Sequence, residues 1–263
     1  GRGAGGTIST AAMATKTKTT GVARYGEAEW QTRVDLAAAY RLADHFGFSQ
    51  VIYNHITARV PGADEHFLIN RFGWHYGEIT ASSLVKIDLE GNVIDGPDEI
   101  NQPGYVIHSA VHSARRDVHC VMHTHTPGGL AVSALEAGFI PMTQDAFEFY
   151  DRVAYHEFEG LSLDTGERER LVADLGDLNV MVLRNHGLLA VGPTIDRAFM
   201  RMYNLEKACV TQVQAMATGH ELHMPPAEVC ERTAQQINGR KNSQNEWPAL
   251  LRLLDAKDPS YTS

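Results

Sequence analysis

The sequence predicts an α/β fold, in which one main domain has a mixed sheet covered by helices. Several short apolar runs, separated by turn residues, come early in the chain and are typical of strands. Helical periodicity and short buried runs then alternate through the second half. A chain of 263 residues is long enough to bury a sizeable core. Helix layers on a sheet are the stable way to pack such a mixture of elements.

The N-terminal segment is predicted to differ from the rest. Residues 1–25 are rich in Gly, Ala, Thr and Lys and poor in large apolar side chains. Since such a segment buries little surface, we expect a flexible arm. Apolar residues then recur every third or fourth position over Glu27–Phe48, which predicts an amphipathic helix with Gly47 as a C-cap. The main domain is expected over residues 26–224.

Strands and one helix are predicted next. Turn signals rich in Gly, Pro, Asn and Asp separate three strand-like runs. These runs are Val51–Val60, Phe67–Asn70 and Leu84–Leu89. A helix is predicted over Tyr105–Arg115, and it leads into the segment on which the interpretation of the chain depends.

The segment Val118–Leu130 reads VHCVMHTHTPGGL and predicts a buried strand that ends at the start of a helix. Because side chains alternate along a strand, His123 and His125 are expected on one face. Thr126 is a good N-cap, and Pro127 suits the first helical position because no donor is lost there. Two such imidazoles can bind one cation. The alternative is a pair of strand histidines bonded to neighbouring polar groups.

The second half of the chain continues the alternation. The predicted elements are helices over Pro127–Glu136, Glu167–Leu175 and Ile195–Met216, and strands over Asn179–Leu183 and Leu188–Val191. The aromatic and acidic residues 139–159 carry no clear pattern. After the two consecutive prolines at 225 and 226, a helical extension is expected over residues 225–263.

A polar turn, Arg184-Asn185-His186-Gly187, separates the two short strands of the second half. Such a turn between buried strands is a poor candidate for core packing. Together with His123 and His125, His186 would complete an open site with three nitrogen ligands and one position left for substrate or water. The alternative is that His186 is an ordinary polar turn residue.

Composition and charge exclude several classes of function. The formal net charge is −9, and no basic cluster is longer than Arg115-Arg116, which argues against nucleic acid or an anionic membrane as the main partner. No apolar run approaches the ~18 residues of a membrane span. The three cysteines have unrelated spacings, which suits a reducing compartment, and we expect a cytoplasmic protein.

Several stretches resemble the class II aldolase/adducin family. The main ones are His123-Thr124-His125-Thr126 and RNHGLL from Arg184, and the resemblance extends over about residues 34–217. The stretches HFLIN from His66, EITASSLVK from Glu78 and ARRD from Ala114 are more similar to the adducin head domain and its microbial relatives than to sugar-phosphate aldolases.

The resemblance implies a three-layer α/β/α domain with a central mixed, mostly antiparallel sheet. It also implies a homotetramer with active sites at subunit interfaces. In the enzymes of the family, three histidines, often with a glutamate, bind a divalent cation, usually zinc, which polarises a carbonyl as a Lewis acid. Carried over by position, the ligands are His123, His125 and His186.

The sequence departs from the sugar-phosphate aldolases at several positions. Their Ser-Ser-Glu stretch corresponds to Gln102-Pro103-Gly104, so Gly104 replaces the glutamate that serves as ligand and base. Two further family pairs read Tyr53-Asn54 and Phe72-Gly73 here. Because phosphate needs several N–H and hydroxyl donors around it, these losses predict a substrate without phosphate.

Glu148 is the candidate catalytic acid or base. It follows the histidine pair at about the distance at which related dehydratases place an acid/base glutamate, and a carboxylate in a partly dry cleft can be tuned for this task. The alternative is a helix with an ordinary charged face. His108 shares a helix face with Gly104, and His112 forms an i, i+4 pair with it. His108 could replace the missing base, but a hydrogen-bonded helix histidine near the core is the favoured interpretation. The i, i+4 spacing of His108 and His112 can bind metal, but a solvated or packed pair is favoured.

Two functions from different classes follow. The first is a divalent-metal-dependent, aldolase-type carbon–carbon lyase acting on a small non-phosphorylated carbonyl compound. The second is a non-catalytic, adducin-like module for assembly or actin-cytoskeleton contact. The intact histidine set favours the first function, or at least a bound metal. Gly104 and the similarity to adducin heads favour the second. A metabolite sensor is a third possibility.

Overall fold

The computed structural model describes residues 9–62, 65–97, 100–161, 165–240 and 245–263. Within them, the helices are α1 (Thr10–Tyr25), α2 (Glu27–His45), α3 (Gln102–Ala114), α4 (Pro127–Ser133), α5 (Thr165–Leu175), α6 (Ile195–Ala217), α7 (Ala227–Gly239) and α8 (Glu246–Lys257). The strands are β1 (Ile56–Arg59), β2 (His66–Ile69), β3 (Val85–Asp88), β4 (Val93–Asp95), β5 (Cys120–Thr124), β6 (Val153–His156), β7 (Val180–Leu183) and β8 (Gly187–Gly192).

The strands form one eight-stranded sheet in the order β4-β3-β2-β1-β5-β8-β7-β6. Every neighbouring pair is antiparallel except β6 and β7, which are parallel. The central strand β5 pairs with β1 on one side and β8 on the other. This confirms the predicted mixed, mostly antiparallel sheet.

Helices cover both faces of the sheet. Cys120 and Met122 of β5 pack into a core with α2 and α6, whereas Val121 packs into a second core with α3 and α5. A strand buried on both faces reads as a continuous apolar run, which is why β5 is visible in the sequence. Because alternate side chains of the sheet pack on helices of opposite faces, the architecture has three layers, α/β/α.

The N-terminal segment is helical where the sequence predicts a flexible arm. Ser9 accepts a hydrogen bond from the backbone N–H of Ala12 and caps α1. Near the end of α1, a Cβ atom at Gly21 would overlap the ring of Trp30, so glycine allows α1 to pack closely on α2. Residues 1–8 lie outside the described part. The division into arm, main domain and C-terminal extension stays a prediction.

The loop before β1 is the clearest difference from the predicted elements. The sequence predicts a strand over Val51–Val60, but within this range the strand covers Ile56–Arg59. Val51 and Asn54 have φ angles of 52° and 66°, which a strand does not allow. The loop therefore turns sharply and places Gln50 beside the end of β5.

No helix among the described residues combines the length and the apolar character needed to cross a membrane.

Candidate metal centre

The three predicted ligands come together at one end of the sheet. His123 lies on β5, His125 lies one residue beyond its end, and His186 lies in the turn between β7 and β8. One ligand nitrogen from each lies within 4.8 Å of the other two. The distances between ring centroids are 4.7, 4.8 and 4.9 Å. The structure therefore brings together the three histidines that side-chain alternation and the polar turn indicate in the sequence.

The turn that carries His186 depends on two unusual backbone conformations. Asn185 has a φ of 57° and Gly187 has a φ of 152°. A Cβ atom at Gly187 would overlap the carbonyl oxygen of Thr124, so only glycine lets the turn pass this close to β5. This close approach brings His186 to His125.

Hydrogen bonds determine which ring nitrogens carry lone pairs. Nδ1 of His123 donates to the carbonyl oxygen of Leu188, and Nδ1 of His125 donates to Oε1 of Gln50, each at 2.8 Å. Both acceptors lack a proton, so both Nε2 atoms present lone pairs. These two Nε2 atoms lie 3.0 Å apart. Facing lone pairs at this distance repel unless a cation lies between them, and the donor set fits a divalent metal.

The histidines of the cluster are neutral near pH 7. Burial lowers the pKa of His123 well below its ordinary value, and the neighbouring histidines add to this effect. Burial also lowers the pKa of His125 and that of His186, the latter to about 4. Neutral imidazole is the form that binds a metal ion.

A second group of histidines lies beside the cluster, between the sheet and α3. Nδ1 of His55 contacts Oδ1 of Asn70 at 2.8 Å. The hydroxyl of Thr57 contacts Nδ1 of His108 and Nε2 of His112, both at 2.8 Å. The two helix histidines are buried and hydrogen-bonded, as the sequence suggests. His55 was missed because its neighbours come from other strands.

Gly104 lies in the first turn of α3, which Asn101 caps. A Cβ atom at position 104 would overlap Nε2 and Cδ2 of the His55 ring. The place where sugar-phosphate aldolases carry a glutamate is thus next to an imidazole in this chain.

Glu148 does not belong to the histidine cluster. It lies in the 3₁₀ helix Asp145–Phe149, where its Oε2 accepts a hydrogen bond from Asn204 of α6 at 3.1 Å. Burial raises the pKa of Glu148. Thr124 points toward the face of β5 that α6 covers, which is also the helix that Glu148 contacts. His123 points toward the opposite face, which α3 covers. The role of Glu148 as acid or base stays a prediction.

The carboxylate of Glu206, a residue of α6, lies at the N-terminus of α4. It accepts hydrogen bonds from the backbone N–H groups of Gly128 and Gly129, each at 2.8 Å, and from the hydroxyl of Thr126. Burial raises the pKa of Glu206. Thr126 is the N-cap residue, as predicted, but its side chain does not cap the helix. Local spacing carries no signal for Glu206, because it lies two helices further along the chain.

A second set of potential ligand atoms surrounds His156. Its Nε2 lies 3.3 Å from Glu167 and 3.4 Å from Glu159, and its Nδ1 lies 2.8 Å from Asp174. Glu159 is also paired with Arg170. These contacts tie the end of β6 to α5.

The chain belongs to the family described as "Class II Aldolase and Adducin N-terminal domain", whose profile matches residues 34–213. A protein of Caulobacter vibrioides with the provisional name aldolase class 2 protein is 48% identical over 242 residues, which are 90% of this chain and 94% of that protein. Alpha-adducin of Mus musculus is 47% identical over 198 residues, which are 74% of this chain and 27% of that protein.

Two solved structures extend the comparison. The crystal structure of an aldolase II superfamily protein from Pseudomonas syringae has a TM-score of 0.89 and 49% identity, covering 92% of this chain and 98% of that one. L-fuculose 1-phosphate aldolase from Glaciozyma antarctica has a TM-score of 0.78 and 29% identity, covering 95% and 98%. The predicted family and the class II aldolase-like three-layer fold are confirmed.

Proposed function

We propose that this protein is a divalent-metal-dependent carbon–carbon lyase of the aldolase type, acting on a small non-phosphorylated carbonyl compound. One observation carries the proposal. The Nε2 atoms of His123 and His125 face one another at 3.0 Å, with their lone pairs fixed by acceptors on Nδ1 and with His186 completing the set. With His123 buried and the other two histidines half-buried, such a set of neutral nitrogens suits a metal ion better than core packing.

Zinc is the metal that fits best, because three imidazoles leave one tetrahedral position open for a substrate. When bound, the ion supplies Lewis acidity that polarises a carbonyl group. The protein's own groups hold the imidazoles in place: the carbonyl oxygen of Leu188 fixes the ring of His123, and Gln50 fixes that of His125. These outer contacts raise the basicity of the ligands and preserve their orientation.

The absence of a phosphate group from the proposed substrate is supported by the surroundings of the cluster. Helix N-termini are common phosphate sites, but the N–H groups of Gly128 and Gly129 already bind the carboxylate of Glu206. A phosphate would meet a buried acidic side chain there instead of free donors. The acceptor-rich surroundings favour a neutral, hydroxylated carbonyl compound.

Proton transfer requires an acid or base among the protein's own groups. Gly104 has no side chain to move a proton, and we keep Glu148 as the candidate acid or base. Its burial raises its pKa, which suits a general acid or base. Because its carboxylate lies beside α6, this role requires a substrate site that extends around the end of β5.

We also propose a cytoplasmic homotetramer. Apolar side chains exposed near the cluster support association: Tyr53 is 51% exposed, and Phe158 is 51% exposed with its ring centroid 6.4 Å from that of His186. The three cysteines are free and buried, which fits a reducing compartment.

A non-catalytic, adducin-like assembly or actin-cytoskeleton module is the second candidate. The identity with alpha-adducin and the absence of a carboxylate at Gly104 favour it. In that case the histidines would still bind metal, but no carbonyl compound would be turned over.

Metal analysis followed by a substrate screen separates the two. Wild-type protein should contain about one zinc per chain, whereas His123→Ala and His186→Ala should lose it. His220→Ala, at an exposed position, is the matched control. A screen of small aldehydes, ketones and hydroxy carbonyl compounds should find metal-dependent cleavage or condensation. Equal metal in all four proteins would refute the metal site, and a metal-loaded protein without turnover would favour the assembly module.

A further inference from the structure

A second group of metal-binding side chains lies at the end of β6, the strand at the edge of the sheet. The N–H of Arg184 donates to the carbonyl oxygen of His156 at 2.9 Å, so this group lies beside the turn that carries His186. One ligand atom from each of three of its side chains lies within 4.8 Å of the other two. The residues are His156 of β6, Glu159 in the segment that follows, and Glu167 and Asp174 of α5.

Asp174 determines the orientation of the His156 ring. Nδ1 of His156 donates to Oδ2 of Asp174 at 2.8 Å, and the histidine is only 5% exposed. A neutral imidazole that donates through Nδ1 carries a lone pair on Nε2. A carboxylate bonded to the far nitrogen in this way is the usual outer partner of a histidine that binds a metal ion.

The other ring nitrogen of His156 faces two carboxylates at once. Its Nε2 lies 3.3 Å from Oε1 of Glu167 and 3.4 Å from Oε2 of Glu159. A charge-assisted hydrogen bond from a protonated imidazole would be about 2.7–2.9 Å long. Two ligand atoms on a tetrahedral zinc ion, with bonds of about 2.0–2.2 Å, lie about 3.3–3.5 Å apart. The spacing at Nε2 therefore fits the ligands of one ion better than it fits a hydrogen bond.

The charges around this nitrogen also favour a cation. The side chains of Glu159 and Glu167 are 27% and 20% exposed, so water screens the repulsion between the two carboxylates incompletely. A divalent ion bound to both offsets that repulsion. Glu159 is also paired with Arg170, which withdraws part of its charge from a bound ion. We therefore expect this group to hold zinc more weakly than three histidines do.

We propose that His156, Glu159 and Glu167 form a second zinc site, with water in the fourth position. Asp174 orients the imidazole from outside the site. The ion joins the last residue of β6 to the first turn of α5, so its role is to fasten an edge strand to a helix. The site is independent of the proposed function. Because it is weak, it fills when zinc is added beyond the one equivalent per chain expected of the purified protein.

Calorimetric titration with zinc tests the site in protein first treated with a chelator. The wild type should bind two equivalents per chain, the second with lower affinity. His186→Ala removes the first site and allows the second to be measured alone. In that background, Glu167→Gln should lower zinc affinity at least as much as the loss of an outer partner does, about 10- to 100-fold. Glu169→Gln, at an exposed glutamate of the same helix, is the matched control and should have no effect.

Two measurements on the chain without the His186 substitution complete the test. In nitrogen NMR of the wild type, the second equivalent of zinc should shift the Nε2 resonance of His156 and leave that of exposed His220 unchanged. The same equivalent should raise the midpoint of thermal unfolding of the wild type and not that of Glu167→Gln, because the ion binds the folded state.

The outcomes separate this inference from the proposed function. A single equivalent of zinc that is lost in His186→Ala would overturn the second site and leave the proposed metal centre intact. Equal zinc affinity in Glu167→Gln and Glu169→Gln would overturn the second site as well, as would a His156 resonance that zinc does not shift. Zinc bound only through Glu167, with none at the three histidines, would support the second site and overturn the proposed function.

Discussion

The side-chain oxygen of Gln50 accepts a hydrogen bond from Nδ1 of His125 at 2.8 Å, across 75 residues of sequence. The same oxygen accepts a longer contact from the side-chain amide of Asn54, at 3.4 Å. Gln50 is itself exposed, so its contribution to folding is small. Its contact with the histidine cluster is therefore the main physical consequence of its position.

Gln50→Leu should lower zinc affinity about 10- to 100-fold, because His125 loses the acceptor that orients its ring. Gln50→Glu retains an acceptor and adds a negative charge, so its affinity should equal or exceed that of the wild type. Competition with a chromophoric chelator measures both. Gln235→Leu, at another exposed glutamine, is the control. Equal zinc affinity in Gln50→Leu and the control would refute a role for Gln50.

Sugar phosphates should be poor ligands of the zinc-loaded protein. The donors at the N-terminus of α4 are bound to Glu206, and the family positions that supply hydroxyl and N–H donors read Tyr53, Phe72, Gln102 and Pro103. Calorimetric titration with a small panel of ketose and aldose phosphates should give no binding at micromolar concentrations. Their dephosphorylated counterparts serve as controls. Micromolar binding of any sugar phosphate would contradict the proposed substrate class.

The parts of the site that could be predicted are those with a local pattern. His123 and His125 follow from alternation on a buried strand, and His186 follows from a polar turn between apolar runs. The sheet was visible because buried strands read as apolar runs bounded by turn residues.

The parts that could not be predicted depend on which strands and helices become neighbours. His55 is next to His123 only because β1 pairs with β5, and Glu206 reaches Gly128 only because α6 packs on α4. The positive φ of Val51 could not be predicted either, because a β-branched residue rarely adopts this conformation. Cross-strand register and helix docking are determined by the whole fold, so local spacing does not contain them.

The stability of metal-free protein should depend on His112. Burial, with a contribution from the charge of Arg59, lowers its pKa to about 3 in the folded state, whereas the unfolded chain has an ordinary value near 6.5. Between these values, the unfolded state binds a proton that the folded state does not. The stabilisation is therefore complete above about pH 6.5 and falls by about 1.4 kcal/mol per pH unit as the pH decreases toward 3.

Urea unfolding at several pH values between 4 and 7, with a chelator present, measures this dependence. His112→Gln keeps a hydrogen-bonding group near Thr57 but has no proton to gain. Its stability should therefore fall less steeply with decreasing pH, by the equivalent of about one proton. The other buried histidines contribute to both proteins alike. Parallel pH profiles for the variant and the wild type would show that His112 is not the group responsible.

The last prediction concerns Glu148 and decides between a lyase that uses this carboxylate and one that does not. Glu148→Gln preserves the shape of the side chain and its contact with Asn204 but removes the carboxylate. If Glu148 transfers a proton, turnover of the substrate found in the screen should fall about 10²–10⁴-fold. Metal content, oligomeric state and thermal stability should stay the same, because Glu148 does not belong to the three-histidine set among the described residues and its contact with Asn204 is preserved.

If Glu148→Gln still turns over the substrate, the protein is an enzyme, but this carboxylate is not its acid or base. Asp145→Asn is the matched control, since Asp145 belongs to the same short helix and is exposed. A loss of activity confined to Glu148→Gln, together with a shift in the pH profile of kcat, would support proton transfer by Glu148. An equal loss in both variants would instead indicate that the packing of the 3₁₀ helix matters, since of these two residues Glu148 is the one whose carboxylate is buried and has a raised pKa.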